Sequence, residues 1–219
     1  MGINDHESPQ WSEHQKGLME PLEIEIKFYL TNIDSIRNLI LDLGATYLSR
    51  NFETNIRFED QHHSLIQNQC LLRLRKDDRA TLTFKSRHGN ADEEFKISKE
   101  LEVEVSDFAT MSQILESLGF HQEQVYEKWR ETYRLSDSLI CIDTMPYGDF
   151  LEIEGPKNDI KDLSRALGFK WENRILLNYL GIFERLKEKL SLTFSDLTFS
   201  NFCGTRINVS DLLPWLGKV

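Results

Sequence analysis

Cysteine is scarce in this chain: three residues among 219, at positions 70, 141 and 203, far apart and without metal-like spacing. An odd, sparse set argues against a disulfide framework and fits reduced thiols in a cytoplasm. Long apolar runs are missing as well. None approaches the roughly 18 residues that a membrane crossing needs, and the N-terminus has no basic-then-apolar leader pattern. Positive charge is in deficit, with 26 Lys and Arg against 36 Asp and Glu and a net charge of −10. That balance disfavours wholesale binding to nucleic acid or to an anionic membrane. A chain this acidic that handles an anion must gather its cations locally. There is no internal repeat or low-complexity tract, and the six histidines are scattered and read as surface residues. A hydrophobic content of 40% is ordinary for a soluble globule of one large domain or two small ones.

What the chain does have is alternation. In Leu22-Glu23-Ile24-Glu25-Ile26-Lys27-Phe28 apolar and charged residues alternate strictly, which predicts a strand over 22–30 with one apolar and one charged face. Two carboxylates about 7 Å apart along a strand, followed by an ammonium, suit a divalent metal carrying a polyphosphate. The same pattern predicts strands at 53–59, 70–76, 80–87, 98–105, 127–135, 139–143 and 149–155. Their charged faces carry Arg73 with Arg75, then Lys85, then Glu100, Glu102 and Glu104. Further on come Lys128 with Arg130, Asp143 beside Cys141, and Glu152 with Glu154. Arg87, Lys96 and Lys99 read as solvated charges at strand ends.

Helices are expected at 33–43, 107–118, 159–167 and 173–190, from apolar spacing and from cap candidates such as Asn32 and Asp107. Residues 60–69 read as a polar loop. Residues 1–20 are polar and aperiodic and predict a mobile tail, 21–190 the main domain, and 191–219 a C-terminal extension with scattered aromatics.

Eight amphipathic strands can curl into a closed barrel with either face inward. A charged lumen needs compensating partners, because unpaired buried charge is costly. Four amphipathic helices need apolar surface to cover, and an outward apolar face supplies it. The fold expected is therefore α+β: an eight-stranded antiparallel β-barrel with a charged lumen and flanking helices.

Glu23-x-Glu25-x-Lys27 resembles the signature of the CYTH superfamily, the triphosphate tunnel metalloenzymes. Leu72-Arg73-Leu74-Arg75 is similar to that family's Arg-x-Arg strand, Thr83-Phe84-Lys85 to its lysine strand, and Lys128-Trp129-Arg130 to its Lys-x-Arg segment. Asp143 and Glu152-Ile153-Glu154 resemble its late acidic motif, and 99–104 its basic-then-acidic strand. One stretch departs: where the family often reads Asp-x-Tyr-Phe-Asp, this chain reads Asn55-Ile56-Arg57-Phe58-Glu59, with Arg57 as a further cation.

The resemblance implies a tunnel that binds a triphosphate with Mg²⁺ or Mn²⁺. Glu23, Glu25, Asp143, Glu152 and Glu154 would hold metal. Lys27, Arg57, Arg73, Arg75, Lys85, Lys128, Arg130 and Arg174 would grip phosphate, with Arg174 on a helix closing one mouth. Lys27, Arg130, Glu102 and Glu104 are the candidate catalytic groups, the two glutamates either holding a second ion or neutralising the arginines. The expected partner is a small triphosphate (tripolyphosphate, thiamine triphosphate or ATP), with no nucleic acid and no membrane, in a possible homodimer. Hydrolysis, cyclisation of ATP to cyclic AMP, and binding without turnover all remain open.

Overall fold

A computed structural model describes residues 22–87 and 92–204. The expected tail at 1–20 and the end of the expected extension, from 205, lie outside the described residues. Eight strands form a closed antiparallel barrel: β1 (Leu22–Leu30), β2 (Thr46–Asp60), β3 (Cys70–Lys76), β4 (Ala80–Arg87), β5 (Lys96–Val105), β6 (Phe120–Leu135), β7 (Ser138–Met145) and β8 (Gly148–Glu154). Around the ring the order is β1-β5-β4-β3-β2-β6-β7-β8. The helices are α1 (Ile33–Asp42), α2 (Ser64–Gln67), α3 (Phe108–Ser117), α4 (Lys157–Ala166) and α5 (Tyr179–Leu190). Asn32 and Asp107 cap α1 and α3 as expected, their side chains accepting from Ser35 N and Thr110 N.

The apolar faces point outward, beneath the helices. Ile26, Phe28, Ile140, Leu151 and Ile153 pack with Ile40 of α1 and Ile160 of α4. Phe58, Leu72 and Leu74 pack with Leu115 of α3. The charged faces therefore point into the barrel, where the alternation alone could not place them.

β5 and β7 run two or three residues further than expected, and two other strands begin seven residues earlier. β2 begins at Thr46 rather than 53 and β6 at Phe120 rather than 127, and they pair along their whole length. Register breaks between Tyr47 and Ser49 and between Arg57 and Phe58 interrupt the period of two, which hid the extra length. The polar loop at 60–69 contains the single turn α2. Glu59, buried at its foot, accepts from the backbone N–H groups of Asp60, Leu65 and Ile66. The helix expected from 173 starts only at Tyr179. A 3-10 turn covers Trp171–Asn173, the chain is extended from Arg174, and Ile175 makes a bridge with Lys27.

These last segments close seams. β1 pairs with β5 only through Leu22–Glu25, and beyond that point Ile175 takes over the β1 edge. In the same way Leu197 pairs with β6 beside Tyr126, exchanging hydrogen bonds with Glu127 N and Val125 O at 2.9 Å each. Leu197 and Phe202 then bury against Phe183 and Leu186 of α5.

Candidate functional site

The barrel encloses a cavity of about 1900 Å³. Alternation delivers its lining: Glu23, Glu25 and Lys27 from β1, Arg73 and Arg75 from β3, and Lys85 from β4. Lys128 and Arg130 come from β6, and Glu152 and Glu154 from β8. Register sets Lys27 opposite Glu152 and Glu25 opposite Glu154 on adjacent strands.

Each cation is held by a carboxylate. Lys27 Nζ lies 2.7 Å from Glu25 and 2.6 Å from Glu152. Burial would lower the pKa of this ammonium, but Glu152 and Glu25 outweigh burial and hold it well above the ordinary lysine value. Lys85 donates to Glu23 at 2.6 Å and sits 2.8 Å from Glu100. Arg73 lies 3.9 Å from both Glu100 and Glu102, and Arg75 lies 3.5 Å from Glu102. Arg130 grips Asp143 through two nitrogens at 2.7 and 2.5 Å and reaches Glu152 at 2.8 Å. Arginine's planar fork suits this bidentate arrangement.

The carboxylates divide into two kinds. Burial and Glu152 push Glu25 up, yet Lys27, Lys96 and Lys85 together hold it at about 2. Glu154 has no paired cation among the described residues. Burial and the charges of Glu23, Glu152 and Glu25 push it up to about 7. Glu23 is also raised, by burial first and Glu25 second. The β1–β8 end of the lumen thus holds an excess of negative charge.

Three expected site residues sit differently from the sequence reading, and so does one residue that was not expected in the site. Asp143 is fully buried, and its two oxygens are taken by Arg130, by Lys128 at 3.1 Å and by the Tyr179 hydroxyl at 2.7 Å. As it stands it orients cations, and like Glu152 it would have to share or give up one of these partners to meet a metal. Glu104 stands outside the lumen lining, in an exposed pair with Arg79 at 3.1 Å. Arg174 is not on a helix; its guanidinium donates to the carbonyls of Glu93, Glu94 and Trp171 at 2.9 to 3.1 Å. Lys96, read as a solvated strand-end charge, donates instead to the buried Glu25. Arg57 does line the cavity, 3.6 Å from Glu123. Glu102 accepts from Thr83 Oγ1 at 3.0 Å and faces the arginines.

Sequence reasoning passed over Glu53, Tyr126 and Tyr179. Glu53 is buried beside Lys128 at 3.5 Å and Arg130 at 3.9 Å, and those cations with Arg75 and Arg73 overcome burial to hold it at about 2. Its alternation with Asn55 and Arg57 was a usable signal. Tyr126 accepts from Arg73 at 3.4 Å. Tyr179 presents its ring to Lys27 and Lys128 at 5.0 and 5.4 Å. Nothing local in the sequence marks either tyrosine.

As the side chains stand, no three His, Cys, Asp or Glu groups converge to hold a metal among the described residues. Lysines occupy the gaps between Glu23, Glu25 and Glu152. The donor set nevertheless fits a hard divalent cation: oxygen ligands, surplus negative charge, and a Glu154 with no paired cation among the described residues.

A closed antiparallel barrel with interleaved acidic and basic groups inside defines the class: a charge-lined β-tunnel. The chain belongs to the CYTH family, whose domain model matches residues 21–175. A protein of Methanocaldococcus jannaschii named "Putative adenylate cyclase" is 28% identical over 148 residues, covering 67% of this chain and 83% of that one. A solved structure of a Pyrococcus horikoshii protein is 31% identical, covers 72% of this chain and 96% of its own, and superposes with a TM-score of 0.62. A Hippeastrum structure shares the fold at 19% identity and a TM-score of 0.54, covering 74% of this chain and 95% of its own. Its description is of a "putative adenylyl cyclase" with a dominant triphosphatase activity. No helix among the described residues is long and apolar enough to cross a membrane.

Proposed function

We propose that the tunnel hydrolyses a small triphosphate with a divalent metal, Mg²⁺ or Mn²⁺, inorganic tripolyphosphate being the leading substrate. One observation carries this reading: the lumen cations are already oriented inward, and each is neutralised by a carboxylate that a metal could take over. A triphosphate carries about four negative charges, and phosphoryl transfer is catalysed mainly by positioning and charge neutralisation. Glu23, Glu25, Glu152 and Glu154 would hold the metal, which when bound supplies charge neutralisation at the phosphates. Lys27, Lys85 and Lys96 then exchange carboxylate for phosphoryl oxygen. Arg73, Arg75 and Arg130 grip the chain bidentately, with Asp143, Glu102 and Tyr179 fixing the guanidinium and ammonium positions. Water attacks the terminal phosphorus, the P–O bond to the bridging oxygen breaks, and orthophosphate and pyrophosphate leave.

The aromatic rings in the lining favour a phosphate chain over a nucleotide. Lys157 and Lys161 lie over the Phe95 ring and Lys27 and Lys128 over the Tyr179 ring, so neither of these buried rings offers a free face to a purine. The second reading is an adenylate cyclase, supported by the name of the M. jannaschii relative. There the ribose 3′-hydroxyl attacks and pyrophosphate leaves.

The test is incubation of purified protein with tripolyphosphate, thiamine triphosphate or ATP, with Mg²⁺ or Mn²⁺, and chromatography of the products. Orthophosphate from tripolyphosphate supports the hydrolase. Cyclic AMP with pyrophosphate replaces it with the cyclase, and tight binding without turnover sinks both.

A further inference from the structure

Near the end of β2, the neighbouring strand β6 carries one residue too many. Gln124 pairs with Arg57 and Gln122 with Phe58, so Glu123 is the bulged residue between them. A bulge re-aims the side chain it carries. Two histidines turn toward this carboxylate: His121 from the same strand, and His63 from the turn between β2 and α2. His121 Nε2 lies 2.9 Å and His63 Nδ1 3.9 Å from one and the same oxygen, Oε2. The two imidazole rings are nearly perpendicular, with centres 6.0 Å apart. None of the three residues lines the lumen cavity.

We propose that His63, His121 and Glu123 form a site for one divalent cation of the zinc class, separate from the hard-cation site in the lumen. Two imidazoles and a carboxylate supply three ligands and leave a fourth position for water. Imidazole selects zinc and its neighbours over Mg²⁺, which seeks oxygen. The spacing is close to what such a site needs. With metal–ligand bonds of about 2.0–2.1 Å, tetrahedral ligand atoms stand about 3.3 Å apart and ring centres about 5.2 Å apart. The two nitrogen–oxygen separations bracket the first figure. The ring centres exceed the second by about 0.8 Å. As the side chains stand, the three do not surround an ion, because His121 meets Glu123 directly. A metal takes the place of that contact, the neutral ring turning a nitrogen lone pair to the ion.

The surroundings suit a cation. Arg57 approaches Glu123 through the other oxygen, Oε1, at 3.6 Å and leaves Oε2 to the histidines. Asp60 adds negative charge at the same turn, accepting from the N–H groups of His62 and Ser64. Glu59 pins that turn through Leu65 N and Ile66 N, so His63 is presented by fixed backbone. The side chains of His63 and His121 are 52% and 44% exposed, which lets an ion in from solvent. Because Arg57 lines the cavity, an ion held by Glu123 also alters how far that guanidinium is neutralised at the tunnel wall.

Titration of the full chain with Co²⁺ tests this without any assay of catalysis, in excess Mg²⁺ to compete at oxygen sites. The visible absorption of tetrahedral Co²⁺ should saturate at one ion per chain, and Zn²⁺ should displace it. His63→Asn and His121→Asn should each weaken binding at least about tenfold, with wild-type circular dichroism. The adjacent His62→Asn should leave it unchanged. In the unmutated chain, Zn²⁺ should shift the imidazole NMR signals of His63 and His121 and spare that of His62. A chain that shows neither absorption nor shifts overturns the proposal. Binding that survives both substitutions, or shifts confined to other histidines, overturns it as well and puts the ion elsewhere.

Discussion

Lys27 and Glu152 face each other across the β1–β8 pair with 2.6 Å between ammonium and carboxylate, their side chains 3% and 7% exposed. Removing one member of a buried pair leaves an uncompensated charge, which costs about 3–5 kcal/mol. Here Glu152 also serves Arg130. Glu152→Gln should therefore lower the urea-unfolding free energy by about that amount and remove turnover. The exposed Arg79–Glu104 pair is the control: Glu104→Gln should change stability by about 1 kcal/mol or less. Equal effects of the two substitutions would mean that the lumen pairs are not structurally distinct from surface ones.

Acid should unfold the protein through the lumen. Glu25 and Glu53 are both held at about 2 against an ordinary value of 4.5. A carboxylate with a lowered folded pKa binds fewer protons folded than unfolded. Its contribution is therefore complete above about pH 5 and disappears as the pH falls toward about 2. Each is of the order of 3 kcal/mol. Urea midpoints measured across that interval should drop steeply, and Glu53→Gln should flatten the slope. A midpoint insensitive to pH there would contradict the assignment of both groups as buried carboxylates.

How much of this was legible beforehand follows from where alternation was intact. β1, β3, β4 and β8 read correctly because each residue pair keeps the period of two, so Glu23, Lys27, Arg73, Lys85 and Glu152 could be assigned to one face. β2 and β6 read short because bulges at Tyr47–Ser49 and Arg57–Phe58 shift the phase. Asp143 was assigned to a metal because a motif names a residue type without its partners. Only the fold shows that Arg130, Lys128 and a tyrosine from α5, 36 residues away, take both its oxygens. Lys96 looked like a strand-end charge because the β1–β5 register that aims it at Glu25 is a long-range fact.

Glu154 runs the pH argument in the opposite direction. Its folded pKa of about 7 exceeds the ordinary 4.5, so the folded protein holds this proton more tightly. Stability then falls as pH rises from about 4.5 through about 7, and the charged carboxylate is a liability above that. Glu154→Gln should raise the melting temperature in chelator at alkaline pH and blunt the stabilisation that Mg²⁺ or Mn²⁺ gives the wild type. If the variant melts lower in chelator, Glu154 is not carrying unneutralised charge.

Metal and polyphosphate should bind cooperatively, because each frees the other's ligands. Without metal, the lysines and arginines that grip phosphate are tied to carboxylates, and a polyanion would have to leave those carboxylates bare. Without polyphosphate, a metal entering among Glu23, Glu25 and Glu152 would strand the lysines between them. Binding both exchanges carboxylate–ammonium pairs for carboxylate–metal and phosphate–ammonium pairs, with no net charge left buried. Calorimetric titration should show tripolyphosphate affinity rising by about 1–3 kcal/mol when metal is present, after correction for metal–polyphosphate complexes in solution. That gain should shrink in Glu23→Gln, where Lys85 keeps only Glu100 as a partner, and basal affinity in chelator should rise in the same variant. A corrected gain that persists undiminished in Glu23→Gln would separate the metal from this carboxylate and sink the exchange of partners.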